Sequence, residues 1–258
     1  MTRYMYPLLL VLLPLCVMSC TAEPELDLGP ARARSRKDVV NTARTLQRLA
    51  TDDILQGDYE RAESLNRQAV TVLEDALPAD DVELAAALRN LAFALRNQQK
   101  HSDARQVLLR ALQIYQRAGD PDAGDALVAL AMCSDDQGDQ ARADELYREA
   151  LAIQREAYGP NSSQVTTTLL NQAAKKAALE NYSQAESLYR TALPKLENLA
   201  GPRHFLVGHT LEQLARVCEE QGKVEEAQAI RERAAKSDPA PHESNVGEAT
   251  NSPGGSDR

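Results

Sequence analysis

The chain has no tryptophan and only two phenylalanines, Phe93 and Phe205, in 258 residues. A core must therefore be filled by leucine, alanine, valine and isoleucine, and alanine in quantity points to helices packed at close range. Positive charge is outweighed, with 29 Lys and Arg against 38 Asp and Glu, a net charge of −9 and an isoelectric point near 5.1. That balance argues against a nucleic-acid partner, because neutralising phosphates needs a basic face. No glycine-rich phosphate loop, G-x-S-x-G elbow, H-E-x-x-H or C-x-x-C occurs. No catalytic residue, metal ligand or cofactor is therefore expected. Asp135, Asp136 and Asp139 crowd Gly138, but a calcium loop needs glycine at its sixth position and has none here. The three are expected at a solvated helix end. His204 and His209 are expected to cap a helix or lie on the surface.

The longest apolar run is at the beginning, Tyr6 to Met18 within MTRYMYPLLLVLLPLCVMSC. It is short for a membrane span and has the charged, apolar and small-residue layout of an export signal. Its ending, Val17-Met18-Ser19-Cys20, resembles the lipobox of bacterial lipoproteins. The resemblance implies a signal peptide over residues 1–19, lipidation of Cys20, and a lipid-anchored place in the bacterial cell envelope. Thr21, standing where inner-membrane lipoproteins have Asp, implies the outer membrane, facing the periplasm. Ordinary cleavage after Ala22 is the alternative and would leave a secreted or periplasmic protein. Residues 20–37 hold two prolines, a glycine and the cations Arg32, Arg34, Arg36 and Lys37 without apolar periodicity, and are expected to form a flexible tether spanning about 23 Å. Residues 237–258, rich in Pro, Gly, Ser and Asn, have the composition of a disordered tail.

Between these flanks the chain repeats itself. Ala62, Ala104, Ala143, Ala185 and Ala227 follow one another at intervals of 42, 39, 42 and 42 residues. Seven residues after each stands another alanine (Ala69, Ala111, Ala150, Ala192, Ala234), and sixteen before each a leucine (Leu46, Leu88, Leu127, Leu169, Leu211). A Leu-Ala pair recurs at 49–50, 91–92, 130–131 and 214–215, with Gln172-Ala173 as the departure. Spacings of 3, 4 and 7 belong to amphipathic helices. Each unit thus reads as two helices broken at Gly57, Gln99, Gly138, Glu180 or Gly222, and the Pro- and Gly-containing stretches between units end one pair before the next. Gln99 and Glu180, standing in place of glycine, are expected to avoid the left-handed conformation. Cys133 and Cys218 fall in first helices two units apart, too far for a disulfide, and are expected to be free and buried.

The pattern L-x-x-L-A followed by A-x-x-x-(Y/L) resembles the tetratricopeptide repeat, as in Leu88-x2-Leu91-Ala92 with Ala104-x3-Leu108, and in Ala143-x3-Tyr147 and Ala185-x3-Tyr189. The period of 42, longer than the usual 34, is similar to that of kinesin light chains. The resemblance implies an all-α fold, a right-handed α-solenoid of about five helix-turn-helix repeats over residues 38–236. It also implies an interaction scaffold that binds a peptide or protein partner in its concave groove, here held at the envelope by the lipid anchor. The tyrosine column of the first helix holds Asp53, Leu95, Ser134, Lys176 and Cys218, and reads as a degenerate packing position. Counting around the first helices places Arg89, Phe93, Arg96, Val128, Met132, Leu170 and Ala174 on the groove face, with Phe93, Val128, Met132 and Leu170 forming a contiguous exposed apolar patch; the alternative is that the long helices curl tightly enough to bury these side chains against each other. Beside them, just before each Leu-Ala pair, stand Arg48, Asn90, Asn171 and Gln213. The resemblance to kinesin light chains implies that Asn90 and Asn171 contact the backbone of a bound peptide. An enzyme of unrecognised type, or a spacer without a specific ligand, are the competing readings.

Overall fold

A computed structural model of the chain describes residues 35–237. Those residues form ten helices and no strand: α1 Arg36–Leu55, α2 Tyr59–Ala76, α3 Val82–Asn97, α4 His101–Ala118, α5 Ala123–Asp136, α6 Gln140–Tyr158, α7 Ser163–Ala178, α8 Tyr182–Ala200, α9 Phe205–Glu220 and α10 Val224–Ala234. Each odd helix packs on the even helix after it, and successive pairs stack into a solenoid of five units. Alanine makes this possible. All five alanines of the first column are completely buried, those of the second nearly so, and the leucine column is at most 3% exposed. Without side-chain bulk at these points the helix axes approach closely, and leucine fills what remains.

All five hairpins use one device. The backbone N–H of Asp58, Lys100, Asp139, Asn181 and Lys223 donates to the carbonyl of Asp53, Leu95, Ser134, Lys176 and Cys218 respectively, each at 2.9 Å. This closes a Schellman turn, which needs a left-handed residue just before the donor. Gly57, Gly138 and Gly222 supply it with φ of 81, 83 and 77°. Gln99 and Glu180 adopt it too, at φ 61 and 59°, so the expectation that they would avoid it is corrected. The shared hydrogen bond and the packing of both helices impose the turn whatever residue occupies it. Ser35, Asp58, Asp81, Asp139, Ser162 and His204 cap helices with their side chains, His204 as the sequence led one to expect.

Two further expectations change, while the tyrosine column keeps its packing role. The first helix begins before residue 38: Ser35 caps α1 and Arg36 and Lys37 are helical, with Arg36 paired to Asp81 at 3.0 Å. The degenerate tyrosine column is buried throughout, polar members included. Asp135 and Asp136 are not at a solvated end: Asp135 is 4% exposed, and Asp136 is held between Arg96 of α3 at 2.6 Å and Lys175 of α7 at 2.8 Å. Burial pulls the Asp136 pKa up, but the hydrogen bonds from Lys175 and Arg96 outweigh it and hold the carboxyl below the usual carboxylate range.

The outer faces of the terminal repeats are polar. Leu91, Leu130 and Leu214 are buried against the preceding unit, whereas Leu49 of α1, in the first described unit, is 39% exposed. Its neighbours on that side, Thr45, Asp52 and Gln56, are hydrophilic. At the other end α10 places Gln228 and Arg231 where α8 has Glu186 and Tyr189. No described helix is long and apolar enough to cross a membrane.

Candidate binding groove

A concavity of about 640 Å³ lies between α7 and α9 over α8. Helical spacing builds its walls. Ser163, Thr166, Thr167, Leu170, Asn171 and Ala174 fall on one face of α7, and Leu206, His209, Thr210 and Gln213 on one face of α9, while Tyr189, Leu196 and Leu199 of α8 form the floor. The volume is that of a site for a small ligand or a few peptide side chains. The Thr166 and Thr210 hydroxyls donate to the carbonyls of Ser162 and Leu206, each at 2.8 Å, so they are engaged by the backbone. Leu199 and Leu206 are 49% and 43% exposed. Apolar surface of this extent, flanked by the side-chain amides of Asn171 and Gln213 and by the His209 ring, is the composition of a recognition groove.

Its charge is one-sided. The lining includes no Asp or Glu, and His209 is its only ionisable side chain apart from the Tyr189 hydroxyl. Burial raises the Tyr189 pKa, while the guanidinium of Arg216, exposed on α9, acts in the opposite sense from nearby. A second, smaller cleft of about 270 Å³ lies between α5 and α7, lined by Asp125, Val128, Ser163, Gln164, Thr167, Thr168 and Asn171. Asp125 in it is neutralised by Arg89 at 2.8 Å. Asn171 is common to both cavities.

Of the residues expected at the groove, Leu170, Asn171 and Gln213 line the larger cavity, and Val128 with Asn171 the smaller. The contiguous exposed patch does not form. Val128 is 8% exposed and part of the core, and Met132 is half-buried against it, its sulfur 3.9 Å from the Arg96 guanidinium. The first helices lie close enough for Arg89 and Arg96 to bridge from α3 to α5, and that approach covers Val128 and Met132. Phe93 is 47% exposed but lines neither cavity, nor do Arg48, Arg89 and Asn90. The α8 floor and Leu206, His209 and Thr210 were not among the expected residues; of α9, only Gln213, beside its Leu-Ala pair, was. The i, i+3, i+7 series from Leu206 would have found the second wall.

Elsewhere, Cys133 and Cys218 are free and buried, and burial pushes the Cys133 thiol up to about 11. Glu186, Cys218 and Glu226 converge closely enough to share an ion. Both carboxylates are, however, already matched: Glu186 by Lys223 and Arg190, Glu226 by Arg190. Cys20 and the rest of the expected signal peptide, and the tail beyond residue 237, lie outside the described residues.

Two family models, both described as tetratricopeptide repeat, match the chain, one over residues 83–156, 136–198 and 164–240 and the other over 42–83. Among curated proteins, Protein KINESIN LIGHT CHAIN-RELATED 3 of Arabidopsis thaliana is 26% identical over 193 residues, covering 73% of this chain; the chain spans only 29% of the length of that relative. Among solved structures, BtubC (BKLC) from P. vanneervenii superposes with a TM-score of 0.60 at 20% identity, covering 84% of this chain and 97% of that one. A Rap protein complexed with Competence and Sporulation Factor gives 0.64 at 17% identity, covering 76% and 53%. A Rap conjugation gene regulator of the plasmid pLS20, in complex with the Phr* peptide, gives 0.62 at 16%, covering 86% and 59%. With repeats matched from residue 42 to 240 and found as five stacked hairpins, the chain belongs to the tetratricopeptide repeat family.

Proposed function

We propose that the protein is an interaction scaffold that takes an extended peptide segment of a partner protein in the groove between α7 and α9. The observation that carries this is that the half-exposed Leu199 and Leu206 line, together with the amides of Asn171 and Gln213, a cavity without carboxylates. Apolar anchors of a peptide would bury against the leucines, each contributing about 1 kcal/mol given that half of each side chain remains to be covered. The amides, which both donate and accept, suit a peptide backbone. With no carboxylate in the lining and the Arg216 guanidinium near Tyr189, a neutral or acidic segment fits better than a basic one. Two of the structural neighbours were solved in complexes, one with Competence and Sporulation Factor and one with the Phr* peptide, which agrees with this reading.

The reading includes the envelope anchor: lipidation at Cys20 would hold the solenoid at a membrane surface behind a short tether. Fractionation tests it, since Cys20→Ala should release the protein from membranes while leaving its helical content unchanged; retention in the membrane fraction refutes lipidation. The groove is tested by selecting a random peptide library on the purified protein. Enriched peptides should lose about five- to ten-fold in affinity on Leu206→Ser, with the melting temperature preserved because Leu206 is exposed. An absence of enrichment refutes the groove.

A further inference from the structure

The apolar core is not continuous along the solenoid. One cluster runs from Val39 to Ala150, through the first three repeats, beside a small one of Ala50, Ala62 and Ala94, and the last two repeats have clusters of their own, with Leu151 of α6 the one buried apolar residue of the first three repeats that is grouped with Val165, Leu169 and Ala192 across the junction. The register explains the break. Where α2, α4 and α8 place Leu73, Tyr115 and Leu196, α6 has Gln154; where α3, α5 and α9 place Leu91, Leu130 and Leu214, α7 has Gln172; and Lys176 is the one cation of the column that elsewhere holds Asp53, Leu95, Ser134 and Cys218. All three polar substitutions fall on one interface.

They are joined by polar contacts. The Gln154 amide donates to Asp125 at 3.0 Å and its carbonyl accepts from Thr168 at 2.8 Å. Gln172 and Lys176 both reach Asp144 of α6, at 3.5 and 2.8 Å, and Lys175 crosses to Asp136 at 2.8 Å. Such an interface resists opening less than an apolar one. Its groups regain hydrogen bonds from water when they separate, each intramolecular bond being worth about 1 kcal/mol net, while a leucine loses the whole benefit of its burial. In a solenoid the coupling between neighbours decides which repeats move and unfold together.

We infer that the polar seam between α6 and α7 is a hinge built into the fold, about which repeats one to three and repeats four and five move as two bodies. The larger groove lies entirely in the second body and is carried with it, whereas the smaller cleft has one wall on each side and changes width as the hinge moves. Any ligand bridging α5 and α7 would clamp it.

The test uses the full chain with spin labels on non-canonical side chains at equivalent exposed positions one repeat apart, Ser64 with Gln106 and Glu145 with Ser187. The second pair spans the seam. Its distance distribution should be about twice as broad as that of the first, and Gln172→Leu, which restores the apolar column, should narrow it and slow amide exchange in α7 about ten-fold. Equal widths in the unsubstituted protein overturn the proposal, and that comparison decides the matter even if Gln172→Leu does not fold. A wider Glu145–Ser187 distribution that Gln172→Leu leaves unchanged also overturns it, by placing the motion outside the seam.

Discussion

Replacing Gln99 and Glu180 by glycine should stabilise the protein. Both residues sit in the left-handed region, which costs an ordinary L-residue about 1–2 kcal/mol. Glycine escapes that cost but gives up about 0.5–1 kcal/mol through the greater freedom of its unfolded chain. The net gain is about 0.5–1 kcal/mol per site. Neither side chain is engaged in a hydrogen bond or ion pair among the described residues, so nothing else is lost. The sites are two repeats apart and should act additively. For a domain of this size 1 kcal/mol moves the transition by about 2–4 °C, which puts the double variant about 2–8 °C above the parent in a thermal melt followed by circular dichroism. The reverse change, Gly138→Gln, should cost a similar amount through the backbone alone, since a Cβ at Gly138 meets nothing within 4 Å. An unchanged or lower melting temperature in the double variant, with Gly138→Gln harmless, would refute the argument that the turn is imposed on its residue.

Three further changes probe the packing. Ala185→Leu should overpack a fully buried helix crossing and cost about 1–3 kcal/mol, lowering the thermal transition by several degrees. Asp135→Asn should stabilise at neutral pH, because burial raises the Asp135 pKa and leaves its Oδ1 without a hydrogen-bond partner. A raised folded pKa means stability falls as pH rises, so the variant's advantage should fade in acid, below the ordinary value of 3.8 where the carboxyl is protonated folded or unfolded. Glu186→Gln should behave oppositely: hydrogen bonds from Lys223, then Arg190 and Gln221, lower the Glu186 pKa to about 2, so what it contributes is present above 4.5 and lost as pH falls towards 2. Chemical denaturation of each pair across pH 2–7 reads both signs.

The fold was legible because the signal was redundant. Ala62, Ala104, Ala143, Ala185 and Ala227 recur in register with a second alanine column and a leucine column, and a helix hairpin is the simplest structure that gives those spacings one buried side. The groove was legible only in part. Leu170, Asn171 and Gln213 follow from their columns, but whether Val128 is exposed depends on how closely α5 approaches its neighbours, which one helix's periodicity does not contain. Asp135 and Asp136 failed for the same reason. Their acidity suggested solvent, and the cations that hold Asp136, Arg96 and Lys175, are 40 and 39 residues away on other helices. The seam, by contrast, was visible as the irregular Gln172-Ala173, an exception whose meaning appears only when Gln154 and Lys176 are found on the same interface.

The groove itself is tested most directly by titrating a library-selected peptide into the purified protein and into variants carrying Leu206→Ser, Asn171→Ala or Phe93→Ser. The account predicts weaker binding for the first two, by about five-fold or more, and unchanged binding for Phe93→Ser, which is exposed but lines neither cavity. Binding that survives both groove substitutions, or that is abolished by Phe93→Ser alone, would contradict it and move the recognition face to the first three repeats.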